Sequence, residues 1–384
     1  MIQGLLQRIG LGSKPAKRTS GYAAAHITRM VDFMTTLEVS HKERQRDLVY
    51  LRAHSRDLSK NNVYMRRYLD MCSTNMVGPD GINFESEVIG NANKPKKDWN
   101  DAIENAWANW GRACTADGRL SWLELQFQVA EMVAQDGEVL LRKVRGFDNA
   151  SRFALEVIDA DRLDWTYTTR LANGDRIIMG VETNQWGKPL AYHLWTAHPF
   201  DYEAGPVRQR VPADQIIHLY AEDRTRSTRG IPWATPVMVQ LNMLGRLWTS
   251  ELAAANHEAD RLGIIKTASG APLDDIDADP VAVANEIQSE HAQFLGIDPG
   301  LDIVFPTIQH PNSAMPQFTA FLLKGISAGL GVAYHSLAGD VSDANYSSAR
   351  VALLDERDQW RKRQSWLIKN LHEVVYREWL QMAS

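Results

Sequence analysis

The amino-acid sequence predicts an α+β protein, and three observations support this fold class. The first third of the chain carries helical patterns that are rich in charge, whereas a block from about Glu138 to Asp223 contains short runs of β-forming residues separated by turn signals. After Pro236 the patterns are again those of long helices. With 384 residues, of which 44% are hydrophobic and 23% charged, the chain can bury a sizeable core and is long enough for two or three domains.

The N-terminal region predicts a flexible arm followed by a helical stretch. Residues 1–20 are basic and contain Gly, Ser and Pro, which is typical of a flexible arm. A helical, heavily charged pattern runs from Tyr22 to Met76, and the Gly and Pro of VGPDGI end it. One face of its last part is apolar and is formed by Met65, Leu69, Cys72 and Met76.

Three further elements are predicted before the β-rich block. The stretch NFESEV (residues 83–88) indicates a strand, and a second helical run covers Lys97 to Arg112. A third helix follows, in which Ser121 is the expected N-cap and Glu124 completes a capping box. Gly137 ends this helix.

The β-rich block predicts strands that are separated by turn signals such as NGD and WGKP. Their sequences are EVLLRKV, FALEVIDADRL, DRIIMGVETN, PLAYHLWT and QIIHLYAED. A connector, RTRSTRGIPWATP (residues 224–236), joins the last strand to a long helix expected from Pro236 to Asp260. RLGIIKTA then indicates another strand.

The charge balance shifts after this strand. Between Ala268 and Leu323 there is no Lys or Arg, and the pattern predicts a compact acidic insert with a short helix (Val281 to Phe294) and a strand (Leu301 to Phe305). Helices are expected again from Gln317 to Leu330 and from Ser348 to Leu380. The acidic residues of the insert are Asp274, Asp275, Asp277, Asp279, Glu286, Glu290, Asp298 and Asp302.

Charge and cysteine content limit the functional classes. The net charge of −5 argues against a tight nucleic-acid binder, although it is compatible with a protein past which nucleic acid slides. No secretory signal precedes Cys72 and Cys114, so two buried thiols are expected rather than a disulfide. No apolar run approaches the ~20 residues that span a bilayer, and a cytoplasmic location is the default expectation.

The 12 tryptophans allow two interpretations. They can pack in the core, or they can form part of a large subunit interface, where tryptophan is enriched. Sequence alone does not decide between the two. Those near helix ends or turns are Trp99, Trp107, Trp110, Trp122 and Trp233.

Familiar catalytic and metal-binding patterns are weak or missing. GISAG matches the G-x-S-x-G nucleophile elbow, but helical sequence flanks Ser327 on both sides, whereas an elbow needs a preceding strand. Asp355 and His372 follow in hydrolase order, yet both fall on one predicted helix. His193 and His198 have no ligand set nearby in sequence and are expected to be core or surface residues. The polar loop with Asp340, Asp343 and Asn345 does not fit an EF-hand.

Six stretches, in order, resemble the portal proteins of tailed bacteriophages of the lambda type. They are DLSKNNVYMRRYLDMCSTNMVGPDGI, DADRLD, QWGKPLAYH, VPADQIIHLY, RGIPWATPV and ISAGLGVAYHSLAGDVSDANYSSARVALLDE. The resemblance covers nearly the whole chain. It implies a structural protein that performs no chemistry of its own. No cofactor or dedicated metal site is expected, and the sequence leaves open whether the polar loop contacts Mg²⁺. Such a protein forms a homo-oligomeric ring, typically a dodecamer, at one capsid vertex.

The resemblance also implies partners and locations. Double-stranded DNA would pass through the ring during packaging and ejection, and the ring would dock the terminase, capsid and scaffold proteins, and head–tail connector proteins. The protein would lie at the portal vertex of the virion, and in the host cytoplasm during assembly, with no membrane partner. The alternatives are a hydrolase that uses Ser327 or the acidic loop, and an oligomeric scaffold that conducts no DNA.

The family architecture maps onto the chain as a portal fold with a mixed helical and β wing, a two-helix stem and a small α/β clip. The expected parts are an arm (1–20), the wing (21–230), the first stem helix (231–260), the clip (261–315), the second stem helix (316–331), the tunnel-loop region (332–347) and a long wing helix leading to the crown (348–384). Family members usually carry further helices that form the crown, whereas this sequence stops four residues after Leu380. The crown is therefore expected to be short or absent. Three explanations are open: the chain is truncated, it has been processed, or it belongs to a family member with a minimal crown.

The resemblance gives the polar loop a function. A channel loop must touch a polyanion and release it, and each added Lys or Arg would add counterion-release affinity and slow sliding. The acidic clip, with Asp274, Asp275, Asp277, Asp279, Glu286 and Glu290, would repel DNA in the same sense. Arg350 is a possible DNA contact, whereas Arg357, Arg361, Lys362 and Arg363 either face phosphates or pair with Asp355 and Asp358. The expected tunnel loop consists of Asp340, Val341, Ser342, Asp343, Ala344, Asn345 and Tyr346.

Overall fold

The computed structural model describes residues 40–89, 95–201, 205–259, 264–267, 301–304, 314–340, 342 and 346–383. These residues form an α+β fold in which antiparallel sheets pack with helices. Within these ranges no helix combines the length and apolarity that crossing a bilayer requires. The predicted arm (1–20) and the short helix at Val281 to Phe294 lie outside the described residues.

The helical stretch predicted up to Met76 contains two helices in its described part, α1 (Ser40–Asn61) and α2 (Val63–Val77). The break falls at Asn62, whose extended backbone starts α2. Its side-chain oxygen accepts hydrogen bonds from the backbone N–H groups of Tyr64 and Met65, so it is the N-cap of α2. The predicted apolar face of α2 is fully buried in the core, at Met65, Leu69, Cys72 and Met76.

The strand predicted at NFESEV is wrong. The chain there belongs to no strand, because the backbone donors that a ladder would use bind the next helix, α3 (Lys97–Trp110). Ser86 N–H donates to the Glu104 carboxylate and Val88 N–H to the Asn100 side chain. Helix α4 (Trp122–Asp136) follows and has the predicted Ser121–Glu124 capping box and the left-handed Gly137 at its end.

Two antiparallel sheets form the β-rich block. One has the strand order β2-β1-β8, with β1 (Glu138–Arg145), β2 (Phe153–Ile158) and β8 (Ile216–Tyr220). The other has five strands in sequence order: β3 (Thr169–Arg170), β4 (Arg176–Ile178), β5 (Val181–Thr183), β6 (Pro189–Trp195) and β7 (Arg208–Pro212).

Three details of the predicted strands are corrected. FALEVIDADRL leaves the sheet after Ile158 and turns as a 3₁₀ helix over Ala160–Arg162. DRIIMGVETN is a hairpin rather than one strand, because Met179 and Gly180 both have positive φ and reverse the chain. β3 and β7 were not predicted, since a two-residue strand and an Arg-rich edge strand carry little alternating signal.

The C-terminal half begins with α5 (Met238–Ala259), which is preceded by a 3₁₀ turn at Thr235–Val237. β9 (Ile264–Thr267) and β10 (Leu301–Val304) are the two strands predicted there, and they pair antiparallel. α6 (Met315–Leu330) and α7 (Tyr334–Ala338) follow. The last helical segment is α8 (Tyr346–Leu367), a π-helical turn (Ile368–His372) and α9 (Glu373–Ala383), so the predicted single helix is interrupted by a wider turn.

The main core joins α2, α4, the β1 face of the three-stranded sheet and the last helical segment. Trp107 lies at its aromatic centre, with ring centroids 4.8 Å from Trp110, 5.5 Å from Trp122 and 5.1 Å from Trp379. These tryptophans therefore pack in the core, whereas Trp99 and Trp186 are exposed. Cys72 and Cys114 are free and buried, as predicted, and burial raises the pKa of each thiol to about 12.

Candidate channel loop and ring-contact surface

Helices α5 and α6 pack together and leave the wing core side by side. The buried faces carry Leu241 and Leu244 on α5, and Leu323, Ile326 and Leu330 on α6. Asn62 donates its side-chain N–H to the Leu241 carbonyl at 2.9 Å, which fixes α5 against the start of α2. Residues from both predicted stem segments are thus brought together as a pair of helices.

The outer faces of these helices carry large apolar side chains in solvent. Phe321 on α6 is 72% exposed and Val239 on α5 is 67% exposed. A monomeric protein does not usually expose a run of apolar groups along neighbouring helices, and such surfaces commonly mark interaction sites. We call this set the stem surface: Val239, Met243 and Leu252 on α5, and Phe318 and Phe321 on α6.

The predicted tunnel loop is described in part. Asp340 Oδ1 accepts hydrogen bonds from the Ser342 N–H (3.0 Å) and hydroxyl (2.6 Å), and its Oδ2 accepts one from the Tyr334 hydroxyl (2.9 Å). The bonds from Ser342, and then the bond from Tyr334, lower the pKa of Asp340 below its ordinary value. Asp340 therefore ties the loop to α7. Tyr346 begins α8, whereas Val341, Asp343, Ala344 and Asn345 lie outside the described residues.

A cavity of about 440 Å³ lies between the stem helices and this loop. Trp248 of α5, Met315 and Leu323 of α6, and Tyr334 and Asp340 line it. The side chain of Lys324 lies 5.4 Å from the centroid of the Tyr334 ring, so α7 also contacts a cation of α6.

The basic residues of α8 have different environments. Arg350 is exposed beside the loop, and Arg361 pairs with Asp358 at 3.6 Å, as intrahelical spacing predicts. Arg363 takes neither of the two predicted roles. Its guanidinium lies 4.7 Å from the Trp233 ring and 4.8 Å from the Trp360 ring, and it donates to the Leu330 carbonyl. The acidic clip residues Asp274, Asp275, Asp277, Asp279, Glu286 and Glu290 lie outside the described residues.

Ser327 does not have the geometry of a nucleophile elbow. It lies within α6, is 2% exposed, and its hydroxyl donates to the Leu323 carbonyl at 2.7 Å, which is ordinary helix back-bonding. His372 lies in the π-helical turn, with its ring against Trp122 at 5.2 Å. The hydrolase alternative therefore has no structural support from the GISAG motif.

The two histidines have carboxylate neighbours that the sequence did not show. His193 lies 3.2 Å from Glu182, and His198 approaches Asp161 at 3.7 Å. Asp159, Asp161 and His198 are close enough to hold a metal ion. Arg56 already binds both carboxylates, at 3.2 Å from Asp159 and 2.5 Å from Asp161, so a guanidinium takes the place where a cation would bind.

The start of β1 carries a buried charge cluster that the sequence did not reveal. Glu138 is fully buried and accepts hydrogen bonds from Arg52 (2.5 Å), Arg229 (2.7 Å) and the Gly230 N–H (2.8 Å), while His218 lies 3.1 Å away. Burial disfavours its charge, but Arg229 and Arg52 outweigh this and hold its pKa well below the ordinary value. Burial lowers the pKa of His218.

The described fold combines helices and antiparallel sheets with two packed helices whose outer faces are apolar, as expected of a structural protein that assembles with other subunits. The chain belongs to the lambda family of phage portal proteins, whose model matches residues 26–364. At the level of this family it is a bacteriophage portal protein, structural rather than enzymatic.

Individual relatives agree with this assignment. The chain is 30% identical over 343 residues to a "Probable portal protein" of Halomonas phage phiHAP-1, a match that covers 87% of this chain and 66% of the relative. It is 22% identical to "Portal protein B" of Escherichia phage lambda, over 86% of this chain and 68% of that protein. The chain thus spans about two thirds of the length of the relatives it matches.

Solved structures with similar folds include a neck of an empty GTA particle, with a TM-score of 0.49 and 17% identity over 85% of this chain and 82% of that chain. A portal protein of the HK97 family from Corynebacterium diphtheriae gives a TM-score of 0.35 and 10% identity, over 79% of this chain and 84% of that chain.

Proposed function

We propose that this protein closes into a ring at the portal vertex of a phage capsid and conducts double-stranded DNA during packaging and ejection. The single observation that carries the proposal is the stem surface, whose exposed apolar side chains line two neighbouring helices. In a ring each subunit contacts its two neighbours through two different patches. Ring closure would therefore bury the apolar side chains of the stem surface against the neighbouring subunits. Family membership supports the same assembly.

The domain map follows from this proposal. The wing covers residues 21–230, α5 and α6 are the stem, residues 261–315 are the clip, and α8 with α9 is the long wing helix leading towards a crown. The clip would face the terminase during packaging, and head–tail connector proteins would dock later. Capsid and scaffold proteins would contact the wing. These partners come from the properties of the family and are proposals for this chain.

Ring assembly can be tested with Phe321→Glu. A carboxylate placed in an apolar contact loses its hydration, so this variant is expected to remain folded but to stay monomeric. Phe200→Glu is the matched control, because Phe200 is also exposed but lies in the loop between β6 and β7, away from the stem. The measurements are mass by light scattering and negative-stain electron microscopy.

Closed rings for the wild type and for Phe200→Glu, with monomers for Phe321→Glu, would support the proposal. Rings that form equally well with Phe321→Glu would contradict the stem contact. A ring whose hole is narrower than a DNA duplex would contradict the channel and favour a scaffold that conducts no DNA.

The tunnel loop is proposed to let DNA slide because it adds no cation next to the phosphates. Asp340→Lys would place a lysine from every subunit at this loop, and each phosphate contact adds affinity through counterion release. The amount of DNA packaged per unit time with purified terminase is expected to fall, and the defect should ease as salt is raised. Asp148→Lys, at an exposed wing position, serves as the control. An unchanged packaging rate for Asp340→Lys would show that the loop does not contact DNA.

A further inference from the structure

A second cavity, of about 480 Å³, is lined by residues between Arg170 and Thr228, all of which precede α5 in the chain. One wall is the β3–β4 hairpin and another is the turn between β5 and β6. The remaining wall is formed by β8 together with residues 226–228 of the connector. Gly187 of the turn approaches Arg226, because a Cβ at Gly187 would lie 3.9 Å from Arg226 Cγ. The cavity therefore joins three separate segments of the chain.

Three arginines line this cavity, namely Arg170, Arg176 and Arg226. Arg170 and Arg176 are direct cross-strand partners in the β3–β4 pair, so their side chains leave the same face of the hairpin. Like charges directly opposite each other destabilise a strand pair. Among the residues that the structure describes, no carboxylate forms an ion pair with these three guanidinium groups. Glu222 also lines the cavity, and it accepts the backbone N–H of Arg226.

Two residues in the wall of the same cavity carry buried hydroxyl groups. Ser227 and Thr228 both line it and are each only 9% exposed. Neither hydroxyl has a hydrogen-bond partner within the described part of the chain. The Tyr220 hydroxyl donates to the Ser227 carbonyl at 2.7 Å, which holds this piece of the connector against β8. Both hydroxyl oxygens are almost without accessible surface, so these residues shape the wall of the cavity and a ligand in it does not reach their hydroxyl groups.

We infer that this cavity binds a phosphate monoester or inorganic phosphate. A phosphate dianion offers several strong acceptor oxygens, and it would relieve the repulsion between Arg170 and Arg176. Arginine is well suited to it, because its planar guanidinium binds phosphate oxygens in pairs. The cavity is larger than a phosphate ion, so a nucleoside monophosphate is a second source of the same group.

The test uses the purified full-length protein in phosphate-free buffer, with thermal unfolding and titration calorimetry. Inorganic phosphate is compared with chloride at equal ionic strength, and then with a nucleoside 5′-monophosphate. Phosphate is expected to raise Tm where chloride does not. Arg176→Gln should weaken phosphate binding by roughly tenfold, since one charge-assisted hydrogen bond is lost. Arg112→Gln, an exposed arginine that does not line the cavity, should leave binding unchanged.

Two further variants separate ligand binding from a structural role. Arg176→Gln should raise Tm in the absence of phosphate, because it removes the repulsion with Arg170. Arg170→Gln removes the other charge of the cross-strand pair, so it should likewise leave the fold intact while weakening phosphate binding. Tighter binding of the nucleotide than of phosphate would assign the cavity to a nucleotide, and equal binding would assign it to the free ion.

Other outcomes would overturn the inference. An equal response to phosphate and chloride would show that only ionic strength matters. Phosphate binding that Arg176→Gln and Arg170→Gln leave unchanged would place the ion elsewhere. Binding of a duplex lacking terminal phosphates, weakened by the same variants while phosphate itself has no effect, would make the patch a contact for the DNA backbone.

Discussion

At the residue scale, Glu138 shows how much of the site is hidden from the sequence. In the sequence it is only the first residue of a predicted strand, after the glycine that ends a helix. In the fold, Arg52 of α1 and Arg229 of the connector both bind the Glu138 carboxylate. These partners are 86 and 91 residues away, so no local pattern could predict the cluster.

Replacing Glu138 with Gln is expected to destabilise the fold strongly. The change leaves Arg52 and Arg229 buried without their shared anion, and breaking a buried ion pair from one side costs about 3–5 kcal/mol. The free energy of unfolding, measured with guanidinium chloride, should fall by that order. Glu87→Gln, at an exposed position, is the control and should change it little. A Glu138→Gln protein as stable as the control would mean that the carboxylate is not the centre of the cluster.

At the element scale, the π-helical turn in the last helical segment explains a spacing that the sequence displayed. The buried residues Leu367, Leu371, Val375 and Trp379 recur every four residues. In a regular α-helix each such step rotates the side chain by about 40°, so the stripe would drift away from the core. A π turn has more residues per turn and keeps these four residues on one face. The strict spacing was the available signal, but periodicity of this kind still predicted one continuous helix.

The π turn also predicts a pH effect through His372. Burial lowers the pKa of His372 to about 4 from 6.5, so the folded state holds the neutral ring while the unfolded state takes up a proton first. The stability that the neutral His372 ring contributes is therefore complete above pH 6.5 and is lost as the pH falls towards 4. The loss is about 3 kcal/mol, on the order expected from the shift in pKa.

The measurement is urea unfolding of the wild type and of His372→Leu at several values between pH 4 and pH 7. The variant has no imidazole to protonate, so its stability should fall less steeply with decreasing pH. Parallel curves for the two proteins would show that His372 does not control the acid sensitivity of this region.

At the scale of the whole molecule, most elements were predictable in order, while the contacts between distant segments were not. Helical and alternating patterns predicted the α+β class, the capping box of α4 and the strands β9 and β10, but not the pairing of these two strands. They did not predict that Gly137 and Gly230 touch. A Cβ at Gly230 would lie 2.0 Å from the Gly137 carbonyl oxygen, and one at Gly137 would lie 2.2 Å from the Ile231 carbonyl carbon.

Gly230→Ala is therefore expected to separate the connector from the wing. The added methyl group cannot fit against backbone atoms, so the free energy of unfolding should fall by about 3 kcal/mol or more. Gly245→Ala is the matched control within α5, where a Cβ would make only an ordinary 3.6 Å contact with Asn62. This control should gain about 1 kcal/mol from higher helix propensity. Equal stability of the two variants, measured by guanidinium unfolding, would show that the connector can move away from Gly137.

The anchoring of Arg229 has a mechanical consequence. Its guanidinium is fully buried and donates to the carbonyl groups of Ala160, Leu163 and Met179 as well as to Glu138. Arg229 lies nine residues before the start of α5, and Gly230 is wedged against the end of α4 in between. A pull on α5 is therefore transmitted through these contacts to both sheets and to α4. Under load α5 would tilt together with the two sheets as a lever, rather than bend away from them at a hinge.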